Sequence, residues 1–494
     1  MGVQQIDWGV LAAPLVLAVG AVVVLLVDAF AGPPRSRRQA LVPSALTLVT
    51  VVVAAVPAAA LWGHDRSTFC IARPGSEVSG LCSFGVGGLT LVFWGIVLFG
   101  TAVVALIATV EVADGRTPMG EWNFLLLCSA TGALTLAASR DLITLVVSLE
   151  VVSLPAFAMA GLRRGDPRAA EAAVKFFLVS VISTAVMLMG VSLVYGATGT
   201  VFLGPLNGVH ADGPMAQVVR VGLLLTVVGL AFKVAAVPFH MWVPDTYVGA
   251  PVAVAAYLSV VSKSAGFAGL LLVLPGALSA FADTWAPVLG VLAALTMTVG
   301  NVMAFRQDHA IRLLAWSSVA QAGYVLLPFA AGASHPADAA GATAGYLAIY
   351  AIVNLGAFAV AAVVGTRYPA QRLEDYRGLV HDEPGAGWAL AFALLALAGL
   401  PPSVVGLVAK VVVFDAVSGP ATWLAVVMAV NVAIGLVYYA RWLRELFRPS
   451  VVEGANRYDV PNGVAVAIGI TLTAGIVFSV LPGLLLDPVL AAFR

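Results

Sequence analysis

The chain has 494 residues, of which 61% are hydrophobic and only 10% are charged, and its mean hydropathy is +1.01. Soluble domains carry about 25% charged residues, so these values exclude a sizeable water-soluble domain. The formal net charge is zero and the basic residues form no tract, which argues against a nucleic-acid partner. The composition is typical of a protein that crosses a membrane many times.

Apolar runs follow one another along the whole chain, and about fourteen of them approach the length needed to cross a bilayer. They are centred near Gly20, Val51, Leu98, Ala130, Val151, Met187, Thr226, Lys263, Thr296, Tyr324, Leu355, Gly399, Ala433 and Ile470. Lipid cannot satisfy an open backbone, and the runs are too long for the alternating strands of a barrel. The sequence therefore predicts an all-α polytopic membrane protein with about fourteen transmembrane helices.

Arginine is distributed unevenly between the two sets of connecting loops. The loops after odd-numbered runs hold most of the arginines, among them Arg35, Arg37, Arg38, Arg163, Arg164, Arg168, Arg306, Arg312, Arg441, Arg444 and Arg448. The other loops and the chain end hold Arg66, Arg73, Arg140, Arg220 and Arg494. Because basic loops stay in the cytoplasm, this bias predicts that both termini lie on the outer side.

Two of the three cysteines, Cys70 and Cys82, share the second loop, and Cys128 stands alone in an apolar run. The predicted topology places the second loop outside the cell, where disulfide bonds persist. We therefore predict a disulfide between Cys70 and Cys82, with two free thiols as the alternative.

Lysine is found only inside apolar runs, whereas arginine lies in loops or at helix ends. The four lysines are Lys175, Lys233, Lys263 and Lys410, and one acidic residue, Glu150, also lies at the middle of an apolar run. A charge at the centre of a membrane helix costs ~2.5–3.5 kcal/mol, and such residues usually have a function. Arginine stays charged at any working pH, but a buried lysine can load and release a proton. The pattern predicts a proton path.

Most of these positions also have a structural interpretation. Lys175 follows Glu171 by four residues, which is the favourable spacing for a surface ion pair, and its stem could reach the interface. Lys233 and Lys410 could belong to buried pairs that only fix helix packing. Glu150 could be the counter-ion of one lysine, and our hypothesis pairs it with Lys233, whose charged form it would favour. Lys263 is too far from either end of its run for such an explanation.

Proline and glycine interrupt two of the apolar runs near these lysines. Lys233 precedes Pro238 by five residues, and Lys410 follows Pro402, the end of the segment Gly399-Leu-Pro-Pro402, by eight. Proline inside a helix removes a hydrogen bond and breaks or bends the helix. Interrupted helices at corresponding places indicate the site of a transporter built from inverted repeats. We expect helices 7 and 12 to be discontinuous.

The remaining signals are weaker. His240 follows the first interruption; a lone histidine near an interface is more often structural, although its protonation also suits a relay. The sequence has no metal-ligand cluster, no phosphate-binding glycine motif and no cysteine set for an iron–sulfur centre. No cofactor or metal is expected in this chain, so any redox chemistry belongs to another one.

Several sequence blocks resemble one known family. Residues 232–268, FKVAAVPFHMWVPDTYVGAPVAVAAYLSVVSKSAGFA, closely resemble the signature of the antiporter-like subunit N family of bacterial respiratory complex I. The blocks LAAPLVLAVGAVVVLLVDAF, EAAVKFFLVS, IRLLAWSSVAQAGY, LEDYRGL and LLALAGLPPSVVGLVAK are also similar to it and occur in the same order. The resemblance therefore covers nearly the whole chain.

The resemblance implies a fold of fourteen helices, in which helices 4–8 and 9–13 form two inverted five-helix repeats. It divides the chain into helices 1–3 at residues 1–116, a proton-translocation core of helices 4–13 at residues 117–448, and helix 14 at residues 449–494. It also implies a plasma-membrane location, other complex I subunits as partners, and FMN, iron–sulfur clusters and quinone bound in those partners.

The resemblance implies a role for each buried charge. Glu150, Lys233, Lys263 and Lys410 fall on the family's mid-membrane polar axis, and Lys175 and His240 are weaker candidates. The sequence departs from the family at Gln321, where helix 10 often has a histidine. Because glutamine cannot carry a proton, a relay through this position is doubtful.

Two alternatives remain at the level of sequence. One is a subunit of a multi-subunit cation/proton antiporter with the same fold, and the other is an assembly scaffold without transport. The block PFHMWVPDTYVGAP and the opening block favour the complex I subunit over the antiporter, and the buried charges argue against a scaffold.

Overall fold

The computed structural model describes residues 6–32, 34, 36–71, 81–112, 115–332, 336–449 and 460–493. Arg35, Arg73 and Arg494, which entered the orientation argument, lie outside these residues. The first part of the chain contains α1 (Trp8–Ala31), α2 (Arg37–Ala40), α3 (Val42–Ala60), β1 (Arg66–Cys70), β2 (Cys82–Val86), α4 (Gly88–Ile107) and a 3₁₀ turn (Ala108–Val112).

The central part contains two sets of helices in sequence. The first set is α5 (Met119–Ala137), α6 (Leu142–Gly161), α7 (Pro167–Thr198), α8 (Leu203–Leu206), α9 (Ala216–Val234), α10 (Trp242–Gly249), α11 (Val252–Tyr257) and α12 (Lys263–Leu271). The second set is α13 (Ala282–Phe305), α14 (Ala310–Leu326), α15 (Pro336–Arg367), α16 (Leu379–Asp382), α17 (Pro384–Ala398), α18 (Val404–Ser418) and α19 (Thr422–Phe447). The chain continues with α20 (Asn462–Val480) and α21 (Gly483–Ala491).

Short non-α segments connect several of these helices. They are π-helical at Leu258–Ser262 and Leu272–Ala277, and 3₁₀ at Ser279–Phe281, Leu327–Ala331 and Leu373–Tyr376. The helix ends follow local sequence signals, as α7 shows. The Asp166 side chain accepts hydrogen bonds from the first turn, Pro167 occupies the first position, and Gly199 ends the helix in the left-handed conformation.

Twelve helices among the described residues are long and apolar enough to cross a membrane. The predicted fourth helix is α5, with 19 residues, and the predicted twelfth is divided between α17 and α18, with 15 residues each. These elements are not among the twelve. The polytopic helical fold is therefore confirmed, while the exact number of crossings stays a prediction.

The two sets of helices pack in the same pairwise order. In the first, α5 packs on α6 and α7 packs on α9; in the second, α13 packs on α14 and α15 packs on α17. The central parts of the span Val252–Ala277 and of α15 are buried in the bundle, although each span is apolar enough to cross a membrane. The first of these spans carries Lys263 and packs on α9, which carries Lys233, and α15 packs on α18, which carries Lys410.

Both predicted helix breaks are confirmed. Helix α9 ends at Val234, Ala235 adopts φ 63°, and the Val237–Pro238 peptide is cis before α10 begins. Helix α17 ends at Ala398, Gly399 adopts φ 84°, and the Pro401–Pro402 peptide is cis before α18 begins. Each break leaves the last carbonyl groups of one half-helix without partners in the next turn.

The second loop contains strands, which were not predicted from the sequence. Strands β1 and β2 pair antiparallel, with Arg66 opposite Val86 and Cys70 opposite Cys82. The structure has Cys70 and Cys82 joined as a disulfide. Each strand has only five residues, and so short a run between long apolar helices gives no clear period-two signal.

The hairpin is attached to the turn between α5 and α6. The Gly85 amide donates to the Ala138 carbonyl at 2.8 Å, and the Arg140 amide donates to the Ser83 carbonyl at 2.9 Å. The Arg140 guanidinium donates to Thr90 Oγ1 at 3.1 Å. Burial lowers the pKa of Arg140 to about 10, so this side chain keeps its charge at neutral pH.

Candidate functional site

Three of the four lysines are buried deep in the helix bundle. The exposed fraction is 1% for Lys233, 1% for Lys263 and 7% for Lys410. In the part of the chain that the structure describes, none of the three forms an ion pair with a carboxylate. Their ammonium groups are held by hydroxyl and carbonyl oxygens instead.

Lys233 lies in the last turn of α9, directly before the first helix break. Its Nζ donates to Ser153 Oγ at 2.7 Å, and the Ser153 hydroxyl donates onward to the Leu149 carbonyl of α6 at 2.7 Å. Glu150 lies one turn before Ser153 on the same helix and accepts from Thr184 Oγ1 of α7 at 2.7 Å.

The direct Glu150–Lys233 pair proposed from the sequence is not formed among the described residues. The two side chains have separate hydrogen-bond partners, Ser153 of α6 for Lys233 and Thr184 of α7 for Glu150. Ser153 is therefore the group that connects Lys233 to the helix that carries Glu150.

Lys263 opens α12, directly after the π-helical segment. Its Nζ donates to two oxygens of Ser318 on α14, the carbonyl at 2.5 Å and Oγ at 2.6 Å. The Tyr247 hydroxyl of α10 lies 3.5 Å from Ser318 Oγ. π-Helical turns inside α-helices are frequent at functional sites, and this one places Lys263 against the second set of helices.

Lys410 closes the second helix break. Its Nζ donates to the Leu397 carbonyl at 2.8 Å and to the Ala398 carbonyl at 2.6 Å, the last two residues of α17. The same ammonium lies 5.8 Å from the ring centre of Tyr324. The C-terminal end of a helix carries partial negative charge, and both that end and an aromatic face stabilise a cation.

Gln321 lies on α14 between Ser318, which binds Lys263, and the Leu397 carbonyl, which binds Lys410. Its amide Nε2 donates to the Leu397 carbonyl at 3.3 Å and to the Tyr439 hydroxyl at 3.3 Å. Its Oε1 accepts from the Tyr346 hydroxyl at 2.5 Å. The amide is thus fixed by three partners, and it shares the Leu397 carbonyl with Lys410.

Lys175 is separate from this buried group. Its side chain is 48% exposed and forms ion pairs with Glu171 at 2.8 Å and Asp245 at 3.2 Å. Asp245 also pairs with Arg312 at 3.2 Å. The surface ion pair expected as the structural alternative is therefore formed, and it ties α7 to α10 and α14.

His240 lies in the break between α9 and α10 and is 9% exposed. Its ring centre is 5.4 Å from that of Trp316, and its Nδ1 has no hydrogen-bond partner among the described residues. The described residues also contain no group of three or more His, Cys, Asp or Glu side chains that could hold a metal ion.

Comparison with known proteins places this arrangement in a family. Residues 139–435, more than half of the chain, match the family described as NADH:quinone oxidoreductase/Mrp antiporter, TM. NADH-quinone oxidoreductase subunit N 2 of Streptomyces griseus is 50% identical over 97% of this chain and 92% of its own length. The chain belongs to the NADH-quinone oxidoreductase subunit N family.

Solved structures share the fold of this subunit N chain. A chain of respiratory complex I from Thermus thermophilus is 31% identical with a TM-score of 0.76, covering 96% of this chain and 98% of that one. A chain of the Mrp complex from Dietzia sp. has a TM-score of 0.81 at 20% identity, covering 98% and 96%. The second likeness concerns the fold alone.

The lysines of this subunit N chain were found from the sequence, but most of their partners were not. Ser153 follows Glu150 by three residues and so shares its helix face, a spacing that could have identified it. Ser318 stands in the block that resembles the family and had a weaker signal. The Leu397 and Ala398 carbonyls had none, because backbone groups at a helix end have no residue signature.

Proposed function

We propose that this chain is a membrane subunit of a proton-translocating NADH:quinone oxidoreductase. It moves protons to the outer side of the bacterial plasma membrane through Glu150, Lys233, Lys263 and Lys410. The observation that carries this proposal is the set of three buried lysines, which sit on three different helices with no carboxylate partner among the described residues. A structural cation in this position would be expected to have a counter-ion.

The proposed path runs from Glu150 and Lys233 through Lys263 to Lys410. The negative charge of Glu150 stabilises the ammonium of Lys233, whose proton leaves when Glu150 is neutralised or moves away. The proton then passes to Lys263 and on to Lys410, each amine taking one proton and giving one. Lys410 finally releases its proton to the outer side.

The energy for this path comes from outside the chain. Moving one charge against 100 mV costs ~2.3 kcal/mol, and this subunit carries only the proton path. We propose that electron transfer, together with FMN, the iron–sulfur clusters and quinone, belongs to partner subunits of the same membrane complex. The core at residues 117–448, between segments 1–116 and 449–494, holds every residue of the path.

The proposed orientation has both termini on the outer side, which places the Cys70–Cys82 hairpin there as well. We expect both cysteines to be oxidised in the native membrane, where the outer compartment maintains disulfides. Mass mapping of the unreduced protein would test this expectation, with Cys128 as the free-thiol reference. Two free thiols at 70 and 82 would contradict the disulfide and weaken the orientation.

The alternative is a subunit of a cation/proton antiporter, and the shared Mrp fold is the observation that supports it. The Streptomyces relative, at 50% identity, is a subunit N protein, which favours the oxidoreductase. The oxidoreductase and the antiporter differ in the energy source that drives proton movement. Proton movement by the purified complex should start with NADH and quinone, and should not need an imposed sodium gradient.

The central test compares two substitutions at Lys263. Lys263→Arg keeps the positive charge but cannot release a proton at any working pH, and its planar head binds the Ser318 oxygens differently. We expect Lys263→Arg to lose proton pumping nearly as fully as Lys263→Ala, in complexes that still assemble. Pumping would be measured in vesicles energised with NADH, at matched amounts of complex. Normal pumping by the arginine variant would mean that Lys263 is only a fixed charge.

A further inference from the structure

A small cavity lies between α14, α15 and the two halves of the second broken helix. Its wall includes Gln321, Tyr346, Tyr350, Leu397 and Ala409, and it leaves about 10 Å³ for the centre of a water molecule. This is close to the smallest volume that holds one buried water, and such a water needs two to four polar partners. The cavity adjoins Leu397, whose carbonyl holds the Lys410 ammonium.

Tyr350 contributes an unpaired hydroxyl to this region. The side chain is 4% exposed, and its hydroxyl has no hydrogen-bond partner among the described residues. The side chains of Ser318 and Ser259 lie near this hydroxyl. Buried hydroxyls are almost always paired, with protein or with water, because an unpaired one costs stability.

The position of Tyr350 is informative because Ser318 already accepts from Lys263 at 2.6 Å. The phenol therefore stands between the oxygen that holds the Lys263 ammonium and the cavity beside the Lys410 ammonium. The direct route along α14 passes Gln321, whose amide cannot carry a proton and is already fixed by three partners.

We propose that Tyr350 and one water in this cavity form the proton connection between Lys263 and Lys410. This inference rests on the proposed proton path and adds to it the group that joins the two sets of helices. In one transfer, the Lys263 ammonium gives a proton to Ser318 Oγ, and the Ser318 hydroxyl gives its own proton to the Tyr350 oxygen. The Tyr350 oxygen takes that proton and gives its own to the water, which passes one on to the Lys410 amine. Each oxygen ends with as many protons as it began with, and one proton has moved.

The first test removes only the hydroxyl. In the intact complex, Tyr350→Phe should reduce NADH-driven pumping at least about fivefold while assembly is kept, because the ring that packs in the bundle remains. The matched control is Tyr438→Phe, which removes another fully buried phenol that does not line the cavity and whose hydroxyl donates to Asn301 Oδ1 at 3.0 Å. We expect it to keep most of the pumping.

The second test asks whether the loss reflects proton transfer rather than packing. Gln321→His introduces an imidazole, which can carry a proton at neutral pH, on the wall of the same cavity. Adding it to Tyr350→Phe should restore a large part of the pumping, since a second route then joins the two lysines. A purely structural role for Tyr350 predicts no such rescue.

Three outcomes would overturn the inference: normal pumping in Tyr350→Phe, an equal loss in Tyr438→Phe, or failure of Gln321→His to restore pumping. Electron cryo-microscopy of the complex adds a direct measurement, in which a water should lie within hydrogen-bonding distance of the Tyr350 hydroxyl. If Lys263→Ala pumps normally, the proposed function itself fails. If Lys263→Ala is inactive and Tyr350→Phe is normal, only this inference fails.

Discussion

The two broken helices have similar backbone breaks, but their lysines lie on opposite sides of the break and bind different groups. In the first, Lys233 lies before the break and binds a hydroxyl on another helix, Ser153 Oγ at 2.7 Å. In the second, Lys410 lies after the break and binds the terminal carbonyls of the preceding half-helix α17, those of Leu397 and Ala398. The breaks are alike in their proline and left-handed residue, but the lysines stand on different sides of them.

This difference predicts different roles for the two lysines. A serine hydroxyl can donate as well as accept, so Ser153 tolerates both the charged and the neutral form of Lys233. Two carbonyl oxygens only accept, and the end of α17 adds partial negative charge, so these groups favour the charged form of Lys410 over the neutral one, and the ammonium also stabilises the break. Lys233 should be the more mobile proton carrier, and Lys410 should carry a larger share of the stability.

The largest effect is expected when Lys410 is replaced. Lys410→Met keeps the volume but removes the donor from Ala398, while Leu397 keeps the Gln321 amide. An unpaired buried acceptor costs about 1–3 kcal/mol, so the variant should lose both pumping and stability.

Lys233→Met is the control, because Ser153 still donates to the Leu149 carbonyl and no buried acceptor is left unpaired. It should lose pumping and keep most of the stability. The yield of intact complex on native gels and the temperature of half-dissociation would separate the two. Equal stability of the Lys410→Met and Lys233→Met variants would show that the two lysines contribute equally to the stability of the complex.

The next effect concerns coupling between Glu150 and Lys233. If their charges depend on each other, Glu150→Gln and Lys233→Ala together should cost little more pumping than the worse single change. The expected coupling is about 0.5–3 kcal/mol, the range for neighbouring residues that share a network. Redox-driven pumping of the two singles and the double would be compared at matched assembly. If the pumping losses of the two single variants simply multiply in the double variant, Glu150 and Lys233 act independently of each other.

Ser153→Ala tests the connection that the structure places between them. It removes the hydroxyl that accepts from Lys233 but leaves both charges, so pumping should fall less than in Lys233→Ala. Adding Ser153→Ala to Lys233→Ala should change little further, because the hydroxyl then has no ammonium to hold. If Ser153→Ala loses as much pumping as Lys233→Ala, Ser153 takes part in pumping beyond its hydrogen bond to the Lys233 ammonium.

The smallest effect is expected at Lys175, which lies outside both breaks. Its ion pairs are exposed, and such pairs contribute little and are screened by salt. Lys175→Ala should lower pumping by less than about twofold, and the change should shrink further at high salt. Asp245→Asn should be more damaging, since Asp245 binds both Lys175 and Arg312. If Lys175→Ala is instead the most damaging variant, the proposed proton path is wrong.

The sequence by itself determined the class of protein, because apolar length and the scarcity of charge are properties of the chain alone. The two breaks at Pro238 and Pro402 were also predicted, because proline removes a helix hydrogen bond and each of these prolines lies near a buried lysine. Proline alone does not decide a break, since α1, α3, α6 and α13 continue through internal prolines. The buried lysines could also be identified from the sequence, because a charge in a long apolar run is unusual whatever surrounds it in the fold.

Only the tertiary structure decided which groups these residues contact. Glu150 and Lys233 were expected to pair, but α6 presents Ser153 to the lysine and α7 presents Thr184 to the glutamate. The oxygens that hold Lys410 belong to the backbone, and Tyr350 lies in a buried apolar helix with no sequence pattern that marks it. Such contacts depend on how separate helices are rotated and offset against each other, which the periodicity of one helix does not specify.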